Sequence, residues 1–223
     1  MKVVPALLEQ QVELQKSQLL NLSRHYSRFQ VDIADNTLVP NTTTQIDGLL
    51  HSSFFNLVSH VIFDFHLMVE DPKKHLEMLK LLPKKRVGIV LIHKSVFPDY
   101  VLIKSLYPQF RFGLVLNPQD DVAALSEELI SSLPAIQIMT IKPGFQGSPF
   151  VEESLNKIEQ LRKRGFKKEI LIDGSVNDKT LPTILSLKYK PDILGIGSFL
   201  TKSPKNKFEK RIKFLNSTIG STV

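Results

Sequence analysis

Eight short apolar runs alternate with helix-like stretches from one end of the chain to the other, and few folds accommodate that pattern. The strand-like runs are Val3 to Leu7, Arg28 to Asp32, Val61 to Leu67, Arg86 to Ile92, Arg111 to Leu116, Ala135 to Ile141, Glu169 to Asp173 and Ile193 to Ile196. Between them, apolar residues recur at helical spacing near Leu14–Leu22, Gln45–Leu50, Asp71–Leu81, Pro98–Leu106, Asp121–Leu133, Val151–Arg164, Thr180–Leu187 and Lys207–Ile219. Asp71-Pro72 and Ser203-Pro204 read as helix entries, each with a capping oxygen followed by a proline whose missing N–H costs nothing in a first turn. Strict βα alternation argues for a parallel sheet covered by helices, and eight units in 223 residues predict a closed (β/α)8 barrel. An open doubly wound sheet is the alternative. It is disfavoured because Pro5-Ala6-Leu7-Leu8-Glu9-Gln10 follows the first strand where a G-x-G-x-x-G turn would receive a dinucleotide. No linker or low-complexity tract interrupts the pattern, so residues 1–223 are expected to form one α/β domain.

Composition narrows the function classes. The chain contains no cysteine, which removes disulfides, thiolate nucleophiles and Cys-ligated metals and leaves His, Asp, Glu and amide oxygens as ligands. No apolar run approaches the roughly 20 residues needed to span a bilayer, and MKVVPALLEQQVE turns polar too soon for a secretory signal, so a cytoplasmic protein is expected. The net charge of +7 concentrates in Arg162–Lys168 and Lys202–Lys213, at the end of one predicted helix and along another. Such runs form solvated helix faces, and no nucleic-acid motif accompanies them. Neither nucleic acid nor a membrane is an expected partner.

In a barrel of this kind the chemistry lies at the carboxyl ends of the strands. The period of two puts Gln30 and Asp32 on one side of their strand, does the same for Asp64, His66 and Met68, and Asp173 closes the seventh run. Asp32 and Asp173 would then approach a common mouth from different sides. Three strand ends also run into small residues: Met139 to Gly147, Asp173-Gly174-Ser175 and Gly195-Ile196-Gly197-Ser198. Backbone N–H groups that no side chain obstructs suit a phosphate. A lone strand-end Asp is commonly a cap and a lone His a core group, but this set shares one predicted rim.

These residues resemble the ribulose-phosphate 3-epimerase family, a (β/α)8 family of sugar-phosphate metabolism. Gln30-Val31-Asp32-Ile33-Ala34-Asp35-Asn36-Thr37-Leu38-Val39-Pro40-Asn41 resembles the family segment H-x-D-x-M-D-G-x-F-V-P-N, and Asp64 to Val69 resembles D-x-H-L-M-V. Met139 to Gly147 is similar to M-[ST]-V-x-P-G-F-G-G, and Asp173 to Asn177 and Gly197-Ser198 are similar to D-G-G-I-N and G-S. The resemblance implies inversion of the carbon beside the ketone of a ketose phosphate, D-ribulose 5-phosphate to D-xylulose 5-phosphate, through a metal-stabilised enediolate. It implies Asp32 and Asp173 as the two acid/bases and Asp32, His66 and Asp173 as ligands of a divalent ion, whether zinc, manganese, magnesium or iron. Substrate and phosphate contacts would come from His66, Met68, Met139, Gly144, Phe145, Gln146, Gly147, Gly174, Ser175, Gly197 and Ser198. It further implies self-association into a homo-oligomer of open size.

The chain also departs from the family pattern. Gln30 stands where the family has a metal-binding His, and an amide oxygen in place of imidazole nitrogen should weaken zinc more than magnesium or manganese. Ala6 replaces a serine, Ala34 a methionine of the apolar lid otherwise formed by Met68 and Met139, Asn36 and Gln146 replace glycines, and Lys142 an asparagine. Lys142 is expected to add positive charge at the phosphate loop. The departures at Gln30, Ala6 and Ala34 motivate a second reading, a diverged relative that binds sugar phosphates with weak or no catalysis. A third, a barrel lyase or decarboxylase with a D-x-K-x-x-D strand, meets no lysine in Asp32-Ile33-Ala34-Asp35. His93, followed by Ser95-Val96 where the family has H-x-E-A, is read as structural.

Overall fold

The computed structural model, which describes residues 1–219, closes eight parallel strands into a barrel in sequence order. They are β1 (Lys2–Leu7), β2 (Arg28–Ala34), β3 (Ile62–Met68), β4 (Val87–His93), β5 (Arg111–Leu116), β6 (Ala135–Met139), β7 (Glu169–Asp173) and β8 (Ile193–Ile196), and β8 pairs back onto β1. Helices α1 (Val12–Leu22), α2 (Ile46–His51), α3 (Lys73–Leu79), α4 (Tyr100–Leu106), α5 (Glu127–Ser132), α6 (Asn156–Lys163), α7 (Leu181–Ser186), α8 (Ser198–Thr201) and α9 (Lys205–Ile219) follow the strands. This is the expected (β/α)8 barrel.

The strands read as nearly continuous apolar runs because both faces are buried. Outward residues such as Phe29, Val31, Ile33, Phe63 and Phe65 join Leu19, Leu49, Leu76 and Leu161 in the large shell between strands and helices. A smaller cluster, including Val4, Ile89, Leu91, Val115, Met139, Leu171 and Ile193, fills the lumen. Polar side chains enter that lumen only where chemistry or pairing holds them.

One such place lies deep in the barrel. The register between β3 and β4 slips from Phe63↔Val87 to Phe65↔Val90, so β4 carries an extra residue there. Asp64 fills the irregularity, accepting the Ile89 N–H at 2.8 Å and pairing with Arg28 at 2.7 Å. Gly88 is required by this approach, because a Cβ at that position would lie 2.2 Å from Asp64 Oδ1. Asp64 therefore belongs to the lower lumen, one layer beneath the rim to which the strand-end reading assigned it.

The helical expectations are corrected at several ends. The stretch expected to be helical from Asp121 forms α5 only from Glu127, where the Ser126 side chain accepts the Leu129 N–H and starts the helix. Val151–Arg164 begins as a 3-10 turn, Glu152–Leu155, before α6. Asp71 does accept the Lys73 N–H, whereas the Ser203 hydroxyl points to the Pro204 carbonyl and caps nothing. Helix α8, four residues long, is too short to show helical periodicity.

Candidate active site

The carboxyl ends of the strands surround a cavity of about 200 Å³. Asp32, His66, Met68, Met139, Gly144, Phe145, Gln146, Gly147, Asp173, Gly174, Ser175, Gly197 and Ser198 all line it, together with Ala6, Leu8, Ile141, Val176 and Asn177. Ile141, Val176 and Asn177 lie inside the motif segments, whereas Leu8 carried no sequence signal beyond lying next to a strand end. Lys142 is exposed and does not line the cavity, so the expectation that it adds charge to the phosphate loop is not met. Ala34 packs under the rim with Val39 and Met68, and Met139 joins the lumen cluster, while Met68 and Met139 both line the cavity.

Strand register brings the polar set together. Asp32 pairs with His66 across β2 and β3, and Met139 with Asp173 across β6 and β7, which places one carboxylate on each side of the mouth. Both carboxylates are buried. The Gln30 amide, a layer lower on β2, donates from Nε2 to Asp32 Oδ1 at 2.8 Å and to Asp173 Oδ2 at 2.6 Å. His66 Nδ1 lies 3.2 Å from Asp32 Oδ1 and 3.7 Å from Asp173 Oδ2. Gln137, a buried residue within the apolar run of β6 that sequence reasoning passed over, sends its amide to Asp173 at 3.5 Å.

Electrostatics separates the groups. Burial, reinforced by the neighbouring Asp32 charge, pushes the Asp173 carboxyl up to about 7, while His66 and the Gln30 hydrogen bond oppose that rise. His93, fully buried on β4, places its Nε2 2.8 Å from His66 Nε2. Burial first, and then the His66 charge, depress the His93 imidazole to about 3, so it stays neutral. The reading of His93 as a merely structural residue missed this contact, which depends on strand register and leaves no local signal.

The donor set suits a divalent ion. One oxygen each from Asp32 and Asp173 and one nitrogen of His66 all lie within 4.8 Å of one another. Carboxylate oxygens with one imidazole match the preferences of zinc, manganese, magnesium and iron alike. Gln30 turns its N–H₂ rather than its oxygen toward the carboxylates and so stands outside this trio.

The loops that close the cavity are fixed by backbone contacts. The Thr140 hydroxyl donates to the Gly174 carbonyl at 2.6 Å, and the Asn41 amide donates to the Gly144 carbonyl at 2.6 Å. Gly174, at φ 120°, packs so closely that a Cβ would lie 2.5 Å from Ile141 Cγ1. Only glycine fits there.

The closed barrel and the buried acid pair at its carboxyl rim define the class, a (β/α)8-barrel enzyme. The chain belongs to the ribulose-phosphate 3-epimerase family, whose description, "Ribulose-phosphate 3 epimerase family", matches residues 2–199. Among curated relatives it is 32% identical over 173 residues to ribulose-phosphate 3-epimerase of Encephalitozoon cuniculi, covering 76% of this chain and 73% of that one. It is 30% identical over 213 residues to the Helicobacter pylori enzyme of the same name (strain 26695), covering 93% and 94%. Phosphoribosyl anthranilate isomerase of Thermus thermophilus superposes with a TM-score of 0.64 at 13% identity over the full length of both chains. Orotidine 5'-phosphate decarboxylase of Pyrococcus horikoshii does so with 0.62 at 16% identity over 97% of this chain and 98% of that one. These two likenesses show the barrel fold alone. The chain is a sugar-phosphate epimerase by family, and no helix among the described residues is long and apolar enough to cross a membrane.

Proposed function

We propose that the protein interconverts D-ribulose 5-phosphate and D-xylulose 5-phosphate, with Asp32 and Asp173 as the paired acid and base. One observation carries this reading: two buried carboxylates share a single small cavity with a glycine-rich rim and are joined beneath it by one amide. A carbon-bound hydrogen beside a ketone is a very weak acid, so its removal needs a base held in place and a site that tolerates the charge left behind.

Asp173, whose carboxyl burial and the Asp32 charge raise to about 7 with no cation beside it, serves as the donor, while Asp32 on the other side of the mouth serves as the base. Asp32 takes the hydrogen from one face of the carbon, and Asp173 returns its own to the opposite face. The two carboxyls end with their protonation exchanged, ready for the reverse turnover. Asp32, His66 and Asp173 would hold a divalent ion, which when bound supplies Lewis-acid stabilisation to the substrate oxygens that gain negative charge. Gly144, Gly147, Gly174, Ser175, Gly197 and Ser198 would cradle the phosphate with unobstructed backbone, and the Gln146 amide, buried and without a partner, adds a side-chain donor there. His66, Met68, Met139 and Phe145 would flank the sugar. A single barrel domain, a cytoplasmic location and self-association go with this reading.

Incubation with D-ribulose 5-phosphate and each of magnesium, manganese, zinc and iron(II), followed by NMR, tests it. The expected product is D-xylulose 5-phosphate. Its absence with all four ions would overturn the proposal.

A further inference from the structure

Residues 39–43 form a short strap beside the loop that follows β6, and hydrogen bonds tie this strap to the end of β2. The Thr43 N–H donates to the Ala34 carbonyl at 2.9 Å, and the Asn36 N–H donates to the Asn41 carbonyl at 2.8 Å. The Thr43 hydroxyl donates to the Asp32 carbonyl at 2.9 Å and accepts the Ala34 N–H at 3.0 Å. Asn41 is buried within the strap. Its Oδ1 accepts the Thr42 N–H at 2.9 Å, with Gln10 Nε2 of the loop after β1 lying 3.4 Å away. Its Nδ2 then faces the Gly144 carbonyl at 2.6 Å. The amide is oriented by its partners, since only its oxygen can meet an N–H and only its nitrogen a carbonyl.

The loop that Asn41 meets has little else to hold it. Among the described residues, the Asn41 bond is the one hydrogen bond that joins 141–147 to the loop of another strand. The far end of the loop is fastened beyond this stretch, where the Ser175 hydroxyl donates to the Ser148 carbonyl and the Val151 N–H to the Thr140 carbonyl. Within the stretch, the Phe145 side chain is exposed and neither amide atom of Gln146 has a partner. The second contact is apolar and comes from the same strap: a Cβ on Gly144 would lie 3.1 Å from Val39 Cβ. Asn41 and Val39 together seat the middle of the loop.

We propose that Asn41 is a positioning residue for phosphate binding, holding the backbone from Gly144 to Gly147 in its ligand-ready shape through the Gly144 carbonyl. The proposal rests on the phosphate reading given above and deepens it. A carbonyl already engaged by an amide is not presented to an incoming anion, and a loop seated in advance does not have to be ordered when the ligand arrives. The strap that seats the loop is fastened to the carbonyl of Asp32, so the phosphate cradle and the acid/base share one rigid support.

Calorimetry with inorganic phosphate in chelator, and steady-state kinetics with D-ribulose 5-phosphate, test this on the full chain. Asn41→Ala should weaken phosphate binding by about 3- to 10-fold and raise KM by a similar factor, while kcat changes by less than about twofold. Val39→Ala, which removes the apolar half of the seat and leaves the amide in place, should act in the same direction and decides the matter if Asn41→Ala does not fold. A merely structural role would instead lower the unfolding midpoint or kcat with phosphate affinity intact. Undiminished phosphate affinity in the folded variant, or a fall in kcat at constant KM, would overturn the proposal, as would a parent protein that binds no phosphate. A parent that binds phosphate without epimerising the sugar is a different failure: it removes the assigned reaction, and the calorimetry still decides the part played by Asn41.

Discussion

Gln30 on β2 donates its side-chain amide to Asp173 on β7 at 2.6 Å, across the mouth of the barrel and 143 residues of sequence. The same nitrogen reaches Asp32 at 2.8 Å, so one neutral group holds two carboxylates at a common distance. Hydrogen bonds to charged acceptors contribute about 1.5–3 kcal/mol each, and both are lost when the amide goes. Gln30→Leu should therefore destabilise the chelator-treated protein by about 3–6 kcal/mol in urea unfolding. Gln30→His should add a nitrogen ligand and tighten zinc at least tenfold while leaving magnesium little changed, as read by calorimetry. Equal zinc affinity in both proteins would show that the side chain at this position has no part in the ion's site.

The two shifted groups at the rim give opposing pH slopes. Asp173 is raised from 3.8 to about 7, so its contribution to stability is full below pH 3.8 and is lost as pH rises through about 7. His93 is depressed from 6.5 to about 3, so its contribution is full above pH 6.5 and is lost as pH falls toward about 3. Each slope is at most about 1.4 kcal/mol per pH unit, and between pH 4 and 6 they offset one another. In chelator, Asp173→Asn should make stability climb more steeply with pH than in the parent, and His93→Gln should make it fall. Denaturant titrations at several pH values check both signs, and parallel curves for all three proteins would refute them.

Much of this architecture was legible in the residues. The bounds of β5, β7 and β8 agree with their apolar runs because a strand buried on both faces has no polar alternation to blur its ends. Helix starts were less legible, since capping depends on where a hydroxyl points: Ser126 caps a helix and Ser203 does not. At the site, motif order brought Asp32, His66 and Asp173 into view together. The layer at which a side chain sits is fixed by register, which no local pattern records. That is why Asp64 was placed at the rim, why His93 was read as structural and why Gln137 was passed over.

Beneath the site, Asp64 is wholly buried and balanced by Arg28, yet burial still holds its carboxyl above the usual range. Arg28→Met leaves that carboxylate uncompensated and should cost about 3–5 kcal/mol. Adding Asp64→Asn should recover part of the loss, because the amide oxygen still accepts the Ile89 N–H while the stranded charge is gone. Urea midpoints of the single and double variants check this, and a harmless Arg28→Met would contradict it.

The claim that two carboxylates pass hydrogen through opposite faces of one carbon is tested most directly by isotope exchange. In deuterated buffer the parent protein should place deuterium at the carbon beside the ketone of D-ribulose 5-phosphate while forming D-xylulose 5-phosphate. Asp32→Asn and Asp173→Asn should each slow epimerisation by about 10²–10⁴-fold with the fold intact. Epimerisation without solvent deuterium in the product, or at parent rates in either variant, would contradict the account.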